Sequence, residues 1–577
     1  MLNLIKLKWQ KYLIGLFILL IVDLGQLVVP IIVAIVIDKI AKLEITMKEL
    51  FDYFLILILL AILVAILRFF WRIFIFGSSR EIERELRAKI YNHILKLHVG
   101  YFNETKTGDI MAKATNDLEA LRMALSMGIL SISDAIIYIS FSAIAMFIIS
   151  FKLTVVSIIP ILFIIPVSMI LGKIIHDKFM KVQHIFGELS ERARETFEGI
   201  SVIKAYTREN EFSRNFKRKS LDYLKSNLSL AKSWGFYEPI IRVLAGLSII
   251  FVLIFGGYSV INNEITLGKL TAFIAYLNML VWPMIAIGWS VNLFQRGSAS
   301  YERIEELLKE KPLIFSKESS YKGEVSGNIE FINLSFKYED RNVLENISFK
   351  INQGQSIGII GKVGSGKSTI LKLLLRLYNP PDGTIILDGV DINDWDLKVL
   401  RDNIGYVPQE SFIFSLSIRE NIQLGKPDAE ESEIWEVLRI VEIGDEIRKF
   451  SKGIDTVVGE KGITLSGGQK QRLALARALI RKPKILLLDD TFSAVDNRTE
   501  KNILNNLREY IKGLTTIIVS HKVSAVMDCD YIVVLENGKI KEKGTHEELM
   551  ELKGFYYNMY SMQKISEIGY GAKVHTR

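Results

Sequence analysis

The first half of the chain alternates long apolar stretches with polar connections. Six of these stretches reach the length of roughly 20 residues that a helix needs to cross the hydrocarbon layer of a membrane. They lie at residues 12–37, 51–77, 124–149, 152–175, 236–261 and 267–294. The pattern therefore predicts an all-α transmembrane domain of six helices over residues 1–300.

The polar connections alternate in length. The short joins are residues 38–50, 150–151 and 262–266, and the long connections are residues 78–123 and 176–235. The long connections are rich in Lys and Arg, which collect in cytoplasmic loops, so we expect these connections, both termini and the second half of the chain in the cytoplasm. Turn-forming residues at 100–109 and 199–209 predict that each long connection turns back there and offers a docking point.

Composition fits a multi-pass membrane protein and argues against nucleic-acid binding. Hydrophobic residues make up 50% of the 577 residues, and the net charge is +8. A nucleic-acid groove would interleave basic with aromatic residues on the soluble domain, whereas the basic surplus here lies between apolar stretches. We therefore predict no nucleic-acid partner. The single cysteine, Cys529, leaves no disulfide within the chain.

Ionisable residues inside the predicted spans need partners, since an unpaired charge in hydrocarbon costs several kcal/mol. The deepest are Asp23, Arg68, Asp134 and Arg242, with Glu238 nearer the end of a span. One interpretation is that they pair between helices or face a watery cavity. The other is that some of them line a substrate pathway.

Four bulky side chains of the sixth stretch also have two interpretations. They form either a soft, adaptable wall for an apolar cargo or ordinary helix packing. They are Met279, Trp282, Met284 and Trp289.

The pattern changes after residue 300. Residues 301–327 are predicted to be a linker that begins with a charged segment. Residues 328–562 alternate short β-branched runs with helical segments, which predicts an α/β domain. Residues 563–577 are predicted to be a tail. Apolar runs at 356–360, 485–488 and 515–519 predict buried strands.

A glycine-rich loop follows the first of these runs and precedes a helical segment. It reads GKVGSGKS over residues 361–368, and this strand–loop–helix context predicts a phosphate-binding loop. Backbone amides can surround nucleotide phosphates there, Lys367 can reach the terminal phosphates, and Ser368 can ligate Mg²⁺. The predicted ATP-binding residues of this segment are Gly361, Lys362, Val363, Gly364, Ser365, Gly366, Lys367, Ser368 and Thr369.

The other two apolar runs end in polar residues that can serve the same site. Asp489 and Asp490 follow the second run, and a carboxylate at such a strand end can hold Mg²⁺, which is the role predicted for Asp489. His521 follows the third run. A lone histidine is more often structural. The alternative is that His521 makes a polar contact with the γ-phosphate of a bound nucleotide.

These motifs, together with LSGGQ at residues 465–469, resemble those of the ATP-binding-cassette (ABC) exporters, in which membrane and nucleotide domains are fused in this order. The resemblance covers nearly the whole chain. It implies an exporter-type six-helix membrane domain followed by an α/β P-loop nucleotide-binding domain, with ATP and Mg²⁺ as cofactors.

The resemblance assigns roles to further residues. Tyr338 would stack on adenine, Gln409 would help ligate Mg²⁺ and sense the membrane domain, and Asp496 would lie in the loop that communicates across a dimer. His521 would be the switch histidine, so that Asp490, His521 and Gln409 form the predicted catalytic set. The signature residues that would bind a partner's ATP are Leu465, Ser466, Gly467, Gly468 and Gln469.

Three segments resemble the parts of exporters that join the two domains. The strings YFNETKTGDI and ISVIKAYTREN are similar to the two coupling turns, and residues 459–462 are similar to the segment that contacts them.

The resemblance also implies a dimer, because each signature segment closes on the nucleotide held by the other subunit. One position departs from the family: glutamate usually follows the Mg²⁺ aspartate as general base, and here Asp490 stands there. A shorter carboxylate places water poorly, and losing a general base typically costs about a hundredfold or more in rate. The sequence therefore favours a heterodimer in which this chain has the slow site and a second ABC half-transporter carries the glutamate.

The expected function is export of hydrophobic or amphipathic compounds, such as drugs or lipids, across a prokaryotic inner membrane. Two alternatives remain open at this point. One is a homodimeric lipid or multidrug exporter in which Asp490 is adequate, and the other is an ATP-gated regulatory protein.

Overall fold

The computed structural model describes residues 2–339, 341–459, 463–510 and 512–574, without the side chains of residues 2, 3, 497 and 565–574. The described residues form two compact units. The first unit comprises the residues up to 96 together with 105–310, and the second comprises residues 97–104 together with those from 311 onward. Most of the predicted contact segment at 459–462 lies outside the described residues.

The first unit contains six helices long and apolar enough to cross a membrane, and each predicted stretch lies inside one of them. The prediction of a six-helix membrane domain is therefore confirmed. The helices of the chain up to residue 309 are α1 (Leu2–Leu7), α2 (Trp9–Ala41), α3 (Met47–Ile94), α4 (Val99–Glu104), α5 (Thr107–Ile149), α6 (Phe151–Glu198), α7 (Ile200–Ala205), α8 (Glu209–Ile261) and α9 (Leu267–Lys309).

The short joins between spans are closed by helix caps. Thr46 begins α3 as a capping box, in which its side chain accepts from the backbone N–H of Glu49 while the Glu49 side chain accepts from the backbone N–H of Thr46. Thr266 caps α9 with its side chain alone, which accepts from the backbone N–H of Lys269. These caps satisfy donors that a helix end otherwise leaves unpaired.

A close contact joins α2 to the start of α9. The Asp38 carboxylate accepts from the backbone N–H of Gly268 and from the hydroxyl of Thr266, both at 2.6 Å. A carboxylate is favourable at a helix amino end because of the partial positive charge there. The backbones approach so closely that a Cβ added at Gly268 would lie 2.1 Å from the carbonyl oxygen of Ala34.

The ionisable residues of the spans divide into two groups. Asp23 of α2 is 2% exposed and lies beside Asp134 and Tyr138 of α5 and Arg68 of α3, so this group connects three helices. Arg242 instead pairs with Glu238 one turn earlier on α8, at 2.6 Å and in an exposed position.

The carboxyl end of α9 is bonded to the beginning of α5. Arg303 pairs with Asp109 at 2.7 Å and with Asp117 at 3.5 Å. The buried hydroxyl of Ser300 also donates to Asp117, at 2.9 Å. These bonds fix the helix that leads into the second unit against its neighbour within the first.

The second unit is an α/β domain, as the sequence predicts. Its strands are β1 (Ile329–Tyr338), β2 (Arg341–Ile351), β3 (Ser356–Gly361), β4 (Ile385–Leu387), β5 (Val390–Asp391), β6 (Ile404–Val407), β7 (Ile485–Asp489), β8 (Thr515–Ser520), β9 (Tyr531–Glu536) and β10 (Lys539–Gly544). Its helices are α10 (Lys367–Leu374), α11 (Leu397–Asp402), α12 (Ile418–Gln423), α13 (Glu431–Ile440), α14 (Gly444–Arg448), α15 (Gly467–Leu479), α16 (Asn497–Tyr510), α17 (His546–Glu551) and α18 (Phe555–Val574).

The strands form two sheets. An antiparallel sheet has the order β2-β1-β4-β5, and a larger sheet has the order β10-β9-β3-β8-β7-β6, in which only β10 runs antiparallel. One hydrophobic cluster includes residues of β1, β3 and α10, and a second includes residues of β7 and α15. The central strands are buried on both faces, which explains their continuous apolar runs.

We expect Gly268→Ala to lower the free energy of unfolding by about 1–3 kcal/mol, because the new methyl group would overpack the contact with α2. The measurement is the thermal unfolding midpoint of the purified chain in detergent. Gly246→Ala on α8 is the control, because among the described residues its Cβ would meet nothing within 4 Å and alanine favours a helix. Equal midpoints for the two variants would contradict the close contact.

Candidate functional site

The register of the parallel strands brings the predicted site residues to one edge of the larger sheet. Ile360 of β3 pairs with Ser520 of β8, and Asp489 of β7 pairs with Val519 of β8. The carboxyl ends of these strands are therefore level. Ligands of open α/β sheets bind at this edge, which is where the glycine-rich loop begins.

The glycine-rich loop has the backbone of a phosphate cradle. Gly364 and Gly366 have φ of +83° and +97°, a region that side chains disfavour. α10 begins directly after the loop, at Lys367. Backbone N–H groups at a helix amino end, with the partial positive charge there, favour an anion.

Lys367 lies at the floor of this loop and is 5% exposed. Its ammonium donates to the carbonyl oxygens of Gly361 and Lys362, at 2.8 and 2.9 Å. Burial lowers the pKa of Lys367 to about 8, although Asp490 and Asp489 oppose that shift. A bound phosphate would give this ammonium a negatively charged partner beside its two carbonyl oxygens.

Ser368 and Asp489 form the candidate Mg²⁺ site. The Ser368 hydroxyl donates to the Asp489 carboxylate at 2.8 Å, and burial raises the pKa of Asp489 although this bond opposes the shift. Two oxygen donors side by side, with the Gln409 side chain on the same cavity, fit an ion that prefers oxygen ligands. Mg²⁺ bound there would neutralise charge on the terminal phosphates.

A cavity of about 360 Å³ opens above these groups. Most of the predicted site residues line this cavity, and their roles remain predictions. It also includes Arg341 and Val343, which the sequence analysis did not single out. The lining residues are Tyr338, Arg341, Val343, Val363, Gly364, Ser365, Gly366, Lys367, Ser368, Thr369, Gln409, Asp489, Asp490, Val519 and His521.

Lys362 departs from the predicted set. Its ammonium lies 3.8 Å from Glu536 and 5.5 Å from the ring centre of Phe555, so the side chain points away from the cavity. Lys362 can therefore contribute to a phosphate site only through its backbone.

Asp490 and His521 both line the cavity. Asp490 has φ of +48° and its backbone N–H donates to Val519 at 2.8 Å, so the chain turns sharply after β7. The backbone carbonyl of His521 accepts from the side chain of Gln563 at 2.7 Å, which holds the turn after β8.

The signature segment does not line this cavity. Ser466 caps α15: its hydroxyl accepts from the N–H of Gln469 at 3.2 Å, and its own N–H donates to the Gln469 side chain at 2.8 Å. Ser466 and Gly467 are exposed. The amino end of α15 is thus exposed, and the backbone N–H groups at a helix amino end favour an anion.

The sequence analysis did not single out Gln471, which joins the signature helix to the loop after β7. Its side chain donates to Ser493 at 2.8 Å and accepts from the N–H of Ala494 at 3.0 Å. Asp496, in the same loop, accepts from the N–H of Thr499 at 3.0 Å, and this bond lowers the pKa of Asp496. The sequence signal for Gln471 was a polar residue on the otherwise apolar inner face of α15.

Arg477, on the same helix, holds the loop that follows Gln409. Its guanidinium donates to the carbonyl oxygens of Asn421 and Phe412, at 2.9 and 3.0 Å. Glu500 of α16 is only 3% exposed, and its carboxylate accepts from the ammonium of Lys522, which follows β8, at 2.7 Å. These residues fix the loops that carry Gln409 and His521.

Comparison with known proteins gives the family. A family model described as the ABC transporter transmembrane region matches residues 12–284, and one described as ABC transporter matches residues 344–493. The chain belongs to the ABC transporter family. It is thus an ATP-driven exporter whose ATPase domain is coupled to transport, and a multi-pass membrane protein.

Relatives match the transporter over nearly its whole length. It is 38% identical to the probable multidrug resistance ABC transporter ATP-binding/permease protein YheI of Bacillus subtilis, over 97% of this chain and 96% of that protein. It is 35% identical to the multidrug resistance-like ATP-binding protein MdlA of Escherichia coli, over 97% and 95%. A bacterial Atm1-family ABC exporter with ATP bound has the same fold, with a TM-score of 0.80, 24% identity and coverage of 96% and 99%.

We expect the affinity of the transporter for ATP to fall as pH rises through the pKa of Lys367, about 8. The phosphates favour the ammonium form, so above this pKa binding must take up a proton, and affinity declines by up to about tenfold per pH unit. Equilibrium binding of a fluorescent ATP analogue would measure the decline. Lys367→Arg keeps a positive charge above pH 8, so the affinity of this variant for ATP should change less with pH. An identical slope in both proteins would exclude Lys367 as its source.

Proposed function

We propose that the transporter is one half of a dimeric exporter that moves hydrophobic or amphipathic compounds, such as drugs or lipids, out of the cytoplasm or inner leaflet. The names of YheI and MdlA support this cargo class. A prokaryotic inner membrane, with the nucleotide unit and both termini in the cytoplasm, agrees with the basic long connections.

The single observation that carries the dimer is the separation of the signature segment from the phosphate cavity. No signature residue is among the described residues that line the cavity. An exposed, capped helix end that favours anions requires a nucleotide from elsewhere, and a second subunit supplies it. Each site then consists of one subunit's cradle and the other's signature helix.

Asp490 supports an asymmetric pair. It lies on the cavity wall, where a general base would accept a proton from the attacking water. Its carboxylate reaches one methylene less far than glutamate does. This chain's cradle would therefore bind ATP and hydrolyse it slowly, while its signature helix completes an active site on a partner that carries glutamate. The partner is a second ABC half-transporter.

The cycle follows from this arrangement. ATP binding draws the two nucleotide domains together, the coupling turns transmit the movement, and the cavity between the membrane helices changes from inward-facing to outward-facing. Hydrolysis at the partner's cradle resets the pair. Differential affinity for ATP between the two conformations supplies the driving free energy.

The sixth membrane helix offers part of a cargo surface. Trp282 and Trp289 are 69% and 47% exposed, so both can contact an apolar compound. Met284 is 4% exposed and packs in the core of the unit, which favours ordinary helix packing, the second of its two interpretations, for this residue.

A homodimeric exporter is the second candidate, because Asp490 lies on the cavity wall and an aspartate there still offers a carboxylate that could act as the base. In that case a small shift would bring the aspartate within reach of the water. The rate of the isolated chain distinguishes the two candidates.

We expect Asp490→Glu to raise the ATPase rate of the chain by about tenfold or more when two copies share one nanodisc and complete each other's sites, because a longer carboxylate can reach the attacking water. The measurement is phosphate release by the chain in lipid nanodiscs. Asp490→Asn is the matched control and should hydrolyse ATP no faster than the unaltered chain. Fast hydrolysis by the unaltered chain, unchanged by Asp490→Glu, would favour the homodimer.

We expect Ser466→Ala to slow ATP hydrolysis by the reconstituted heterodimer while ATP binding by the isolated chain stays unchanged, because Ser466 is outside its own cavity. The loss of a helix cap alone costs about 1 kcal/mol of stability. Thr545→Ala is therefore the control, since it removes the same kind of capping box from α17. If both variants hydrolyse ATP equally fast, the signature helix does not complete the partner's site.

A further inference from the structure

Tyr378 stands at the far end of the helix that begins at the phosphate loop. α10 is followed by Arg376, whose φ of +47° ends the helix. The N–H of Leu377 then donates to the carbonyl oxygen of Lys372 at 2.9 Å, which closes a Schellman turn. The position of Tyr378 is therefore fixed relative to the loop that would hold the phosphates.

The ring of Tyr378 packs against Tyr338. The two ring centres are 4.9 Å apart with an interplanar angle of 79°, and Phe336 contacts both rings edge-on. The Tyr338 hydroxyl donates to Thr369, the residue after the glycine-rich loop, at 3.4 Å. Tyr338 is thus held at its hydroxyl by α10 and at its ring by Tyr378.

Tyr378 is also bonded to the first cytoplasmic turn. The Asn103 side chain of α4 donates to the Tyr378 hydroxyl at 2.7 Å. A Cβ added at Gly100 would lie 3.4 Å from the Tyr378 ring, so the backbone of the turn also packs against this side chain. Residues 97–104 belong to the nucleotide unit in the structure, although the chain on either side of them belongs to the membrane unit.

We infer that Tyr378 is a positioning residue that links the bond from Asn103 to the orientation of the Tyr338 ring, and thereby to adenine binding. The inference rests on the proposed function, in which Tyr338 stacks on adenine. A movement of α4 that breaks the Asn103 bond frees the Tyr378 hydroxyl, and the ring then no longer holds Tyr338 in one orientation. The phosphate loop is untouched by this change.

The test compares two ligands of the full chain in lipid nanodiscs. MANT-ATP carries adenine and phosphates, whereas inorganic tripolyphosphate, used as its competitor, carries phosphates alone. Tyr378→Phe keeps the ring and removes only the hydroxyl. We expect it to weaken MANT-ATP binding by about two- to tenfold, the range of one hydrogen bond, and to leave tripolyphosphate binding unchanged.

Asn103→Ala removes the other side of the same bond and should give the same loss. The Asn103→Ala/Tyr378→Phe double variant should bind MANT-ATP as the single variants do, because the bond can be lost only once. Tyr321→Phe is the control, since it removes a phenolic hydroxyl from a ring that packs against Trp395 instead. It should bind both ligands as the unaltered chain does.

Three results would overturn the inference. The first is unchanged MANT-ATP binding by Tyr378→Phe, and the second is an equal loss of affinity for both ligands. The third is a double variant whose loss of MANT-ATP affinity equals the product of the two single losses. An unaltered chain that binds no MANT-ATP at all would instead overturn the proposed function itself, so the two failures are distinguishable.

Discussion

The level carboxyl ends of β3, β7 and β8 are the constraint on which the nucleotide site depends. Parallel pairing places Ile360 beside Ser520 and Asp489 beside Val519. Three segments far apart in the chain therefore deliver the phosphate loop, the carboxylates and the histidine to the same edge. A shift of one residue in either pairing would turn every side chain of the shifted strand to the other face and separate Ser368 from Asp489.

The signature helix extends this constraint to the loops. Gln471 fixes the loop after β7, and Arg477 fixes the loop that follows Gln409. Gln471 is buried and Arg477 half-buried, whereas Ser466 and Gly467 at the amino end of α15 are exposed. The same helix therefore holds two loops of this chain's own site and, in the proposed dimer, would offer its amino end to the other subunit. A change at that exposed end should affect a partner's site before it affects this one.

Much of this arrangement could be predicted from the sequence, because it follows from local patterns. Apolar length predicted the six spans, and the strand–loop–helix pattern predicted the position of Lys367 and Ser368. Contacts between distant segments could not be predicted in this way. The Asp38–Gly268 contact and the bond between Asn103 and Tyr378 depend on tertiary packing that one sequence does not specify. The choice between the two interpretations of Met284 also depended on that packing, since periodicity does not distinguish a helix face that lines a cavity from one that packs in a core.

Binding and hydrolysis depend on different parts of the site, and Asp490 shows how they can be separated. Its φ of +48° is a conformation that aspartate adopts more readily than most residues, so the turn after β7 is compatible with the shorter side chain. Ser368 is bonded to Asp489, and Lys367 is bonded to the carbonyl oxygen of Gly361 in the phosphate loop. These are the groups that would hold the phosphates and Mg²⁺. In the proposed asymmetric pair, such a subunit would retain ATP while the reaction proceeds at the other site. In a pair that alternates between two conformations, the retained nucleotide would keep the two domains in contact and shorten the return to the closed state.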